Sequence, residues 1–250
     1  MRLMQLHLSA WPEIEAYLKT SKAILIPIGS TEQHGPMGLL GTDAICAEFM
    51  ARQAGDEAGF LVGPTFNVGQ AQHHMGFPGT ITLRPSTMIA AMTDWANSLR
   101  HHGFERIYWL NGHGGNIATI NAAFAEIHHA TSFDQTGQTK AIRCTLRNWW
   151  DLAGVADLIR EVFPSGEGSH ATPSEISVTQ YACPGSAKSA DIAIKVAPSG
   201  PIFDAEDFRR RYPDGRIGSD PTLANPEAGK KLVEAAVRSL VREFQAFAAG

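Results

Sequence analysis

The chain has 250 residues, of which 44% are hydrophobic and 18% charged, with a formal net charge of -4. That balance excludes a disordered chain and gives no electrostatic reason to expect nucleic acid or an anionic membrane as a partner. Cys46, Cys144 and Cys183 are widely spaced with no CxxC pair, which argues against a disulfide framework or a cysteine zinc site and fits a reducing cytosol.

The first residues, "MRLMQLHLSAWPEIEAYLK", are amphipathic and acidic and have no long uncharged apolar core. No signal peptide is expected from them, no apolar stretch has the length of a membrane span, and the cytoplasm is the expected location. "AILIPIG" (23–29) reads as a buried strand, followed by a helix from Asp43 to about Gly55. Strands are expected at 60–66 and 80–83, then a helix from Ser86 to Arg100 that "RPS" introduces. "RIYWLNG" (106–112) reads as a strand, 115–130 as a helix and 140–147 as the last strand. Residues 173–182 and 226–250 read as further helices. Between them, 184–222 is rich in Gly, Pro, Asp and Ser and reads as a surface excursion, a candidate subunit contact. "RRR" (209–211) is flanked by Asp204, Glu206, Asp207 and Asp214 and reads as a solvated face. Strands alternating with helices, with runs too apolar for one wet face, predict an α/β fold whose mostly parallel sheet is covered on both sides, in one domain over 1–250.

In such sheets ligands gather at the carboxyl ends of the strands. Two loops there are unusual: "GSTEQHGPMGLLGTD" (29–43) and "NGHGGN" (111–116). Glu32 and His34, two apart, point to one side of an extended segment, and Asp43 can cap the next helix while facing the same cleft. His113 comes from a neighbouring strand end among glycines that let the backbone approach other groups. Carboxylates alternating with imidazoles make a ligand set suited to Zn²⁺ or Mn²⁺. One more acid suffices for two metals if a carboxylate bridges, and Glu175 in "GEGSHATPSEIS" (166–177) is the candidate. Each residue also has a plainer use: a surface acid, a helix cap, a loop histidine. "NGHGGN" has the position of a phosphate loop but lacks GxGxxG spacing and a Walker lysine.

Together "IPIGSTEQHGPMGLLGTD", "HHMGFPGTITL", "NGHGGN", "SHATPSEIS" and "GRIGSDPTLANPEAGKK" resemble the creatininase (creatinine amidohydrolase) family, in order from about residue 23 to 233. The resemblance implies a three-layer α/β/α sandwich, a two-metal site holding Zn²⁺ and/or Mn²⁺ (with Fe²⁺ as a further option), and a homo-oligomer, often a hexamer. It puts Glu32, His34, Asp43 and His113 on metal-ligand positions with Asp43 as the bridge, and makes His170 the catalytic proton shuttle. Creatininase has an acid where this chain has Gly115, and members with GHGGN use instead the position of Glu175. Met37 stands where members often have His, and Ser169 where creatininase has Glu. These departures separate the metal chemistry from the choice of creatinine as substrate.

The expected activity is hydrolysis of a C–N bond of a small amide, cyclic ones included, by a metal-activated water. Trp149 and Trp150 are expected to wall the substrate pocket, with core packing as the alternative for the pair. His74 is expected to line the cleft and His73 to be exposed. Alternatives are a formamide deformylase of a nucleotide-derived intermediate and a peptidase of a modified precursor peptide. A phosphate-bearing substrate demands clustered Arg or Lys; Arg84, Arg143 and Arg147 lie near strand ends. A non-catalytic metal-binding scaffold is the reading from a different class.

Overall fold

Alternation along the apolar runs decides the layers. In a computed structural model that describes residues 4–250, β1 (Ala23–Ile28), β2 (Arg106–Asn111) and β3 (Arg143–Asn148) pair in parallel, in the order β1-β2-β3. Ala23 and Leu25 of β1 with Tyr108 and Leu110 of β2 face one way; Ile24, Ile26 and Ile28 with Ile107 and Trp109 face the other. The first face packs on α2 (Thr42–Ala58), through Cys46 and Met50, and on Leu232, Leu240 and Phe244 of the last helix, Pro226–Ala249. The second packs on α3 (Pro85–His101), through Met88 and Met92, and on Ile120 and Ile127 of α4 (Ile117–Ser132). The result is the expected α/β/α sandwich, with β1 buried along its whole length.

The expected strand at 60–66 is reduced to isolated bridges, Leu25 with Val62 and Ile28 with Phe66. Leu25 N and Gly29 N donate to Leu61 O and Phe66 O across this edge, but Pro27 between them has no N–H, and Pro64 has none either. Residues 80–83 are not a strand of the sheet: Ile81 N pairs with Thr31 O and Leu83 N with Gly69 O, so the segment braces the loop after β1. Three helices were not read from the pattern: α1 (Trp11–Tyr17), α5 (Val155–Val162) and, inside the expected excursion, α7 (Ala205–Arg211). α7 is short and capped by Asp204, and it buries Phe208 while Arg210 and Arg211 pair with Asp207 on its wet side. α6 (Pro173–Ala182) and α8 (Pro226–Ala249) fall where expected. Among the described residues no helix is long and apolar enough to cross a membrane.

One register fact positions everything that follows. Ile28, Asn111 and Asn148 lie opposite one another, so the three strands end at one level and their loops leave from one edge.

Candidate metal centre

Loop 29–43, the 113–116 turn and the start of α6 converge on this edge. Glu32 (0% exposed), His34 (1%) and Asp43 (3%) are buried together, as are His113 and His170. Asp43 is in the first turn of α2, where the helix dipole favours a carboxylate. His34 Nδ1 donates to Glu32 O (3.1 Å) and His113 Nε2 to Gln70 O (3.1 Å), since a carbonyl can only accept. Those bonds leave His34 Nε2 and His113 Nδ1 free. They lie 3.0 Å from Asp43 Oδ1 and 3.1 Å from Asp43 Oδ2, one imidazole for each carboxylate oxygen.

Glu175 arrives through a turn of sequence-specific geometry. Thr172 caps α6 by accepting from Glu175 N, and Glu175 Oε1 accepts from Thr172 N at 2.6 Å. Its other oxygen, Oε2, is 3.9 Å from His34 Nε2. Ala171, just before the cap, has φ 54°, and this left-handed residue turns the chain between His170 and the helix. Position 115 has no room for an acid with His113 so placed, because a Cβ there would run into His113 Nε2 and lie 2.8 Å from Gln70 O.

The charges follow from packing. Burial opposes a charge on His34, but Asp43, Glu175 and Glu32 override it and raise His34 to about 10. His113 is likewise opposed by burial and raised by Glu32 and Asp43 to about 9. Asp43 is held low despite its burial, by His34 and His113, and Glu32 is also lowered against its burial, first by His113. Glu175 is pushed up to about 7 by burial. His170 goes the other way, held well below its ordinary value by burial and by the neighbouring imidazoles of His74, His34 and His113.

These residues fit divalent cations on an observation of their own. Glu32 Oε1, Glu32 Oε2 and Asp43 Oδ2 are buried without a hydrogen bond, although imidazole nitrogens lie 3.1 Å away. In each of two groups the ligand atoms all lie within 4.8 Å of one another, close enough to share a cation, and buried carboxylate oxygens without a partner are costly. Glu32, Asp43 and His113 form one such group, and His34, His170 and Glu175 another.

A cleft of about 660 Å³ opens onto Asp43, His113 and Glu175. Trp149 and Trp150 both line it, and Trp149 is at the same time buried in the core beneath, so packing and pocket wall are not alternatives for it. His74 lines it from inside, 1% exposed, with Nε2 3.1 Å from Glu32 Oε1. His73 is not exposed as expected: the short turn Gln72–His74 packs both rings against Phe208 of α7, and burial, with His74 beside it, lowers His73 to about 4. Arg143 and Arg147 are bonded to Gly250 O and Glu243, and Arg160 is the one Arg or Lys lining the cleft among the described residues.

Three participants escaped the sequence reading. Gln33 sends its side chain to His74 and His170, and its only signal was its place between two candidate ligands. Glu167 lines the cleft, bonded by Ser174 and raised by burial; an acid between glycines three residues before His170 was the available hint. Arg216 is 1% exposed and holds Ile194 O, Lys195 O, Ser219 O and Asp214, a role invisible before the loop is folded.

A family model described as "Creatininase: Creatinine amidohydrolase" matches residues 7–244. Creatinine amidohydrolase of Pseudomonas putida is 26% identical over 166 residues, 62% of this chain and 61% of that protein. A mycofactocin precursor peptide peptidase of Mycolicibacterium smegmatis is 33% identical over 112 residues, 42% of this chain and 45% of that protein. The alignments thus span roughly half to three fifths of these relatives. A solved structure described as "Creatininase Mn" superposes with a TM-score of 0.83 at 21% identity, covering 98% of this chain and 99% of that one, a likeness of fold.

Proposed function

The chain belongs to the creatininase family, and from that premise we propose that it is a divalent-metal hydrolase that cleaves a C–N bond of a small amide. The observation that carries this reading is the buried group of three carboxylates and two imidazoles with three carboxylate oxygens left unbonded. In it Glu32, Asp43 and His113 would hold one cation and His34 and Glu175 the other, with Asp43 shared between the two groups. Zn²⁺ and Mn²⁺ suit this donor set, with Fe²⁺ a third candidate. Bound there, the cations supply Lewis acidity and an acidified water as nucleophile.

The chain's own residues do the rest. His170 Nδ1, 3.8 Å from Glu32 Oε1, takes up a proton and delivers it to the leaving nitrogen. Trp149 and Trp150 wall the pocket that orients the substrate, and His74 closes its inner end. One arginine in the cleft lining, itself paired with Asp157, is too few for a phosphate-bearing substrate, which weighs against the nucleotide-derived formamide. A short peptide amide is the second reading, supported by the 33% identity over 112 residues to the peptidase. Assembly into a homo-oligomer, a hexamer by resemblance, belongs to the same reading, and exposed Ile194, Val196 and Phe203 offer it an apolar surface.

The test is metal analysis of the purified protein followed by a screen of creatinine, formamides, hydantoin-like rings and short peptides with the Zn²⁺- and Mn²⁺-loaded forms. Up to two ions per chain and turnover of one amide class are expected. A protein with no affinity for either ion would sink the proposal.

A further inference from the structure

The side-chain amide of Gln33 sits where three loops meet, and its orientation is not free. Oε1 accepts from Gly35 N at 2.9 Å, and Nε2 donates to Gly215 O at 2.8 Å. Flipping the amide would set N–H against N–H and carbonyl against carbonyl. Nε2 also lies 2.8 Å from His74 Nδ1 and 2.9 Å from His170 Nε2, so two amide hydrogens face three neighbours. The conflict has one resolution. His170 Nε2 is 2.8 Å from the backbone O of Gln33, which can only accept, so Nε2 carries a proton and donates it there. One amide hydrogen goes to Gly215 O, which also can only accept. The other goes to His74 Nδ1, which therefore carries none.

We propose that Gln33 is a positioning residue that fixes the tautomers of two histidines, keeping His74 protonated on Nε2 beside Glu32 and confining the exchangeable proton of His170 to Nδ1. Two consequences follow. His74 and His170 Nε2 are withdrawn from metal binding, so the convergence of Glu32, His74 and His170 is not a third cation site. His170 also meets the reaction through one nitrogen alone, the one on the side of Glu32.

Independent packing supports the lock. Gly215 has φ +86°, and a Cβ on it would run into Gln33 Oε1 and lie 2.6 Å from its Cδ, so only glycine lets this backbone press against the amide. Arg216 next to it is buried and pins the loop through four acceptor groups, while Gln33 N is tied to Thr80 Oγ1 at 3.1 Å. The amide is gripped from both loops.

The consequence for turnover rests on the hydrolase reading; the tautomers do not. Ring ¹⁵N NMR of histidine-labelled protein, metal-free and Zn²⁺-loaded, reads them directly, with signals assigned by His74→Ala and His170→Ala. Both rings are expected to be protonated at Nε2, with His74 Nδ1 bare. A proton on His74 Nδ1, or a bare Nε2 on His170, would overturn the proposal. Gln33→Glu removes the amide hydrogens and is expected to move the proton of His74 to Nδ1 and to lower kcat roughly 10- to 100-fold with metal content kept. Because the backbone O of Gln33 remains, His170 should keep its proton on Nε2, and an unchanged His74 in that variant would also overturn the proposal. If the variant does not fold, the wild-type spectrum still decides. A protein that binds no metal and hydrolyses nothing would refute the hydrolase reading and leave the tautomers standing, so the two failures are distinguishable.

Discussion

Two halves of one buried cluster treat the same residue type in opposite ways. Around Asp43, the imidazoles of His34 and His113 each face a carboxylate oxygen and are raised to about 10 and about 9. Across Glu32, His74 and His170 stack with ring centroids 4.3 Å apart and share an amide, and burial with neighbouring positive charge holds His170 low. Neighbours, not residue type, decide the charge. The first half holds protons that a cation can replace; the second keeps one nitrogen able to take up and release a proton.

Asp43→Ala has the largest expected effect. It removes the carboxylate that serves both imidazoles, so both cations and all turnover should be lost together, as metal analysis would read. Loss of a single ion would mean that Asp43 does not join the sites. His170→Ala attacks only the second half. Metal content should stay, and turnover should fall roughly 10²- to 10⁴-fold; an unchanged rate would leave this half without a role in proton transfer. His74→Ala lies between the two, since its ring steadies Glu32 from the second half. Metal affinity should fall roughly 10- to 100-fold by titration with Zn²⁺.

The mildest effect is one of pH on the metal-free protein. The folded values of His34 and His113, about 10 and about 9, are above the ordinary 6.5. Stability from these protons is complete below 6.5 and is lost as pH rises through 9 and 10. Glu175, pushed from 4.5 up to about 7, acts in the same direction from a lower pH. The lowered carboxylates, Asp43 and Glu32, act below their ordinary range, outside this window. Melting of chelator-treated protein should therefore drop between about pH 6.5 and 10, and the loaded protein should not follow it. Loading near neutral pH should release about two protons per chain, measured in a weakly buffered titration.

Much of the chemistry was legible before folding because it depends on residues close in sequence. Glu32, His34 and Asp43 share one loop, and the glycines around His113 announced a tight turn at a strand end. Glu175 could be placed because Thr172 and Pro173 mark a helix start. What stayed hidden depends on contacts distant in sequence. Gln33 meets Gly215 across 182 positions, and the burial of His73 depends on α7, which lies inside a stretch whose composition reads as loop. Pro27 shows the reverse case: an apolar run gave the correct strand, while the missing N–H that breaks its pairing with 60–66 is legible only once the partner is known.

The capping box of α6 has a consequence for mutation and descent. One oxygen of Glu175 closes the first turn of the helix while the other faces His34, so in the proposed site a single carboxylate would answer to folding and to chemistry at once. Glu175→Gln would keep an oxygen for the cap and lose only the charge that faces His34. An apolar substitution would remove the cap together with the proposed ligand, which makes the position harder to vary than either duty alone would make it.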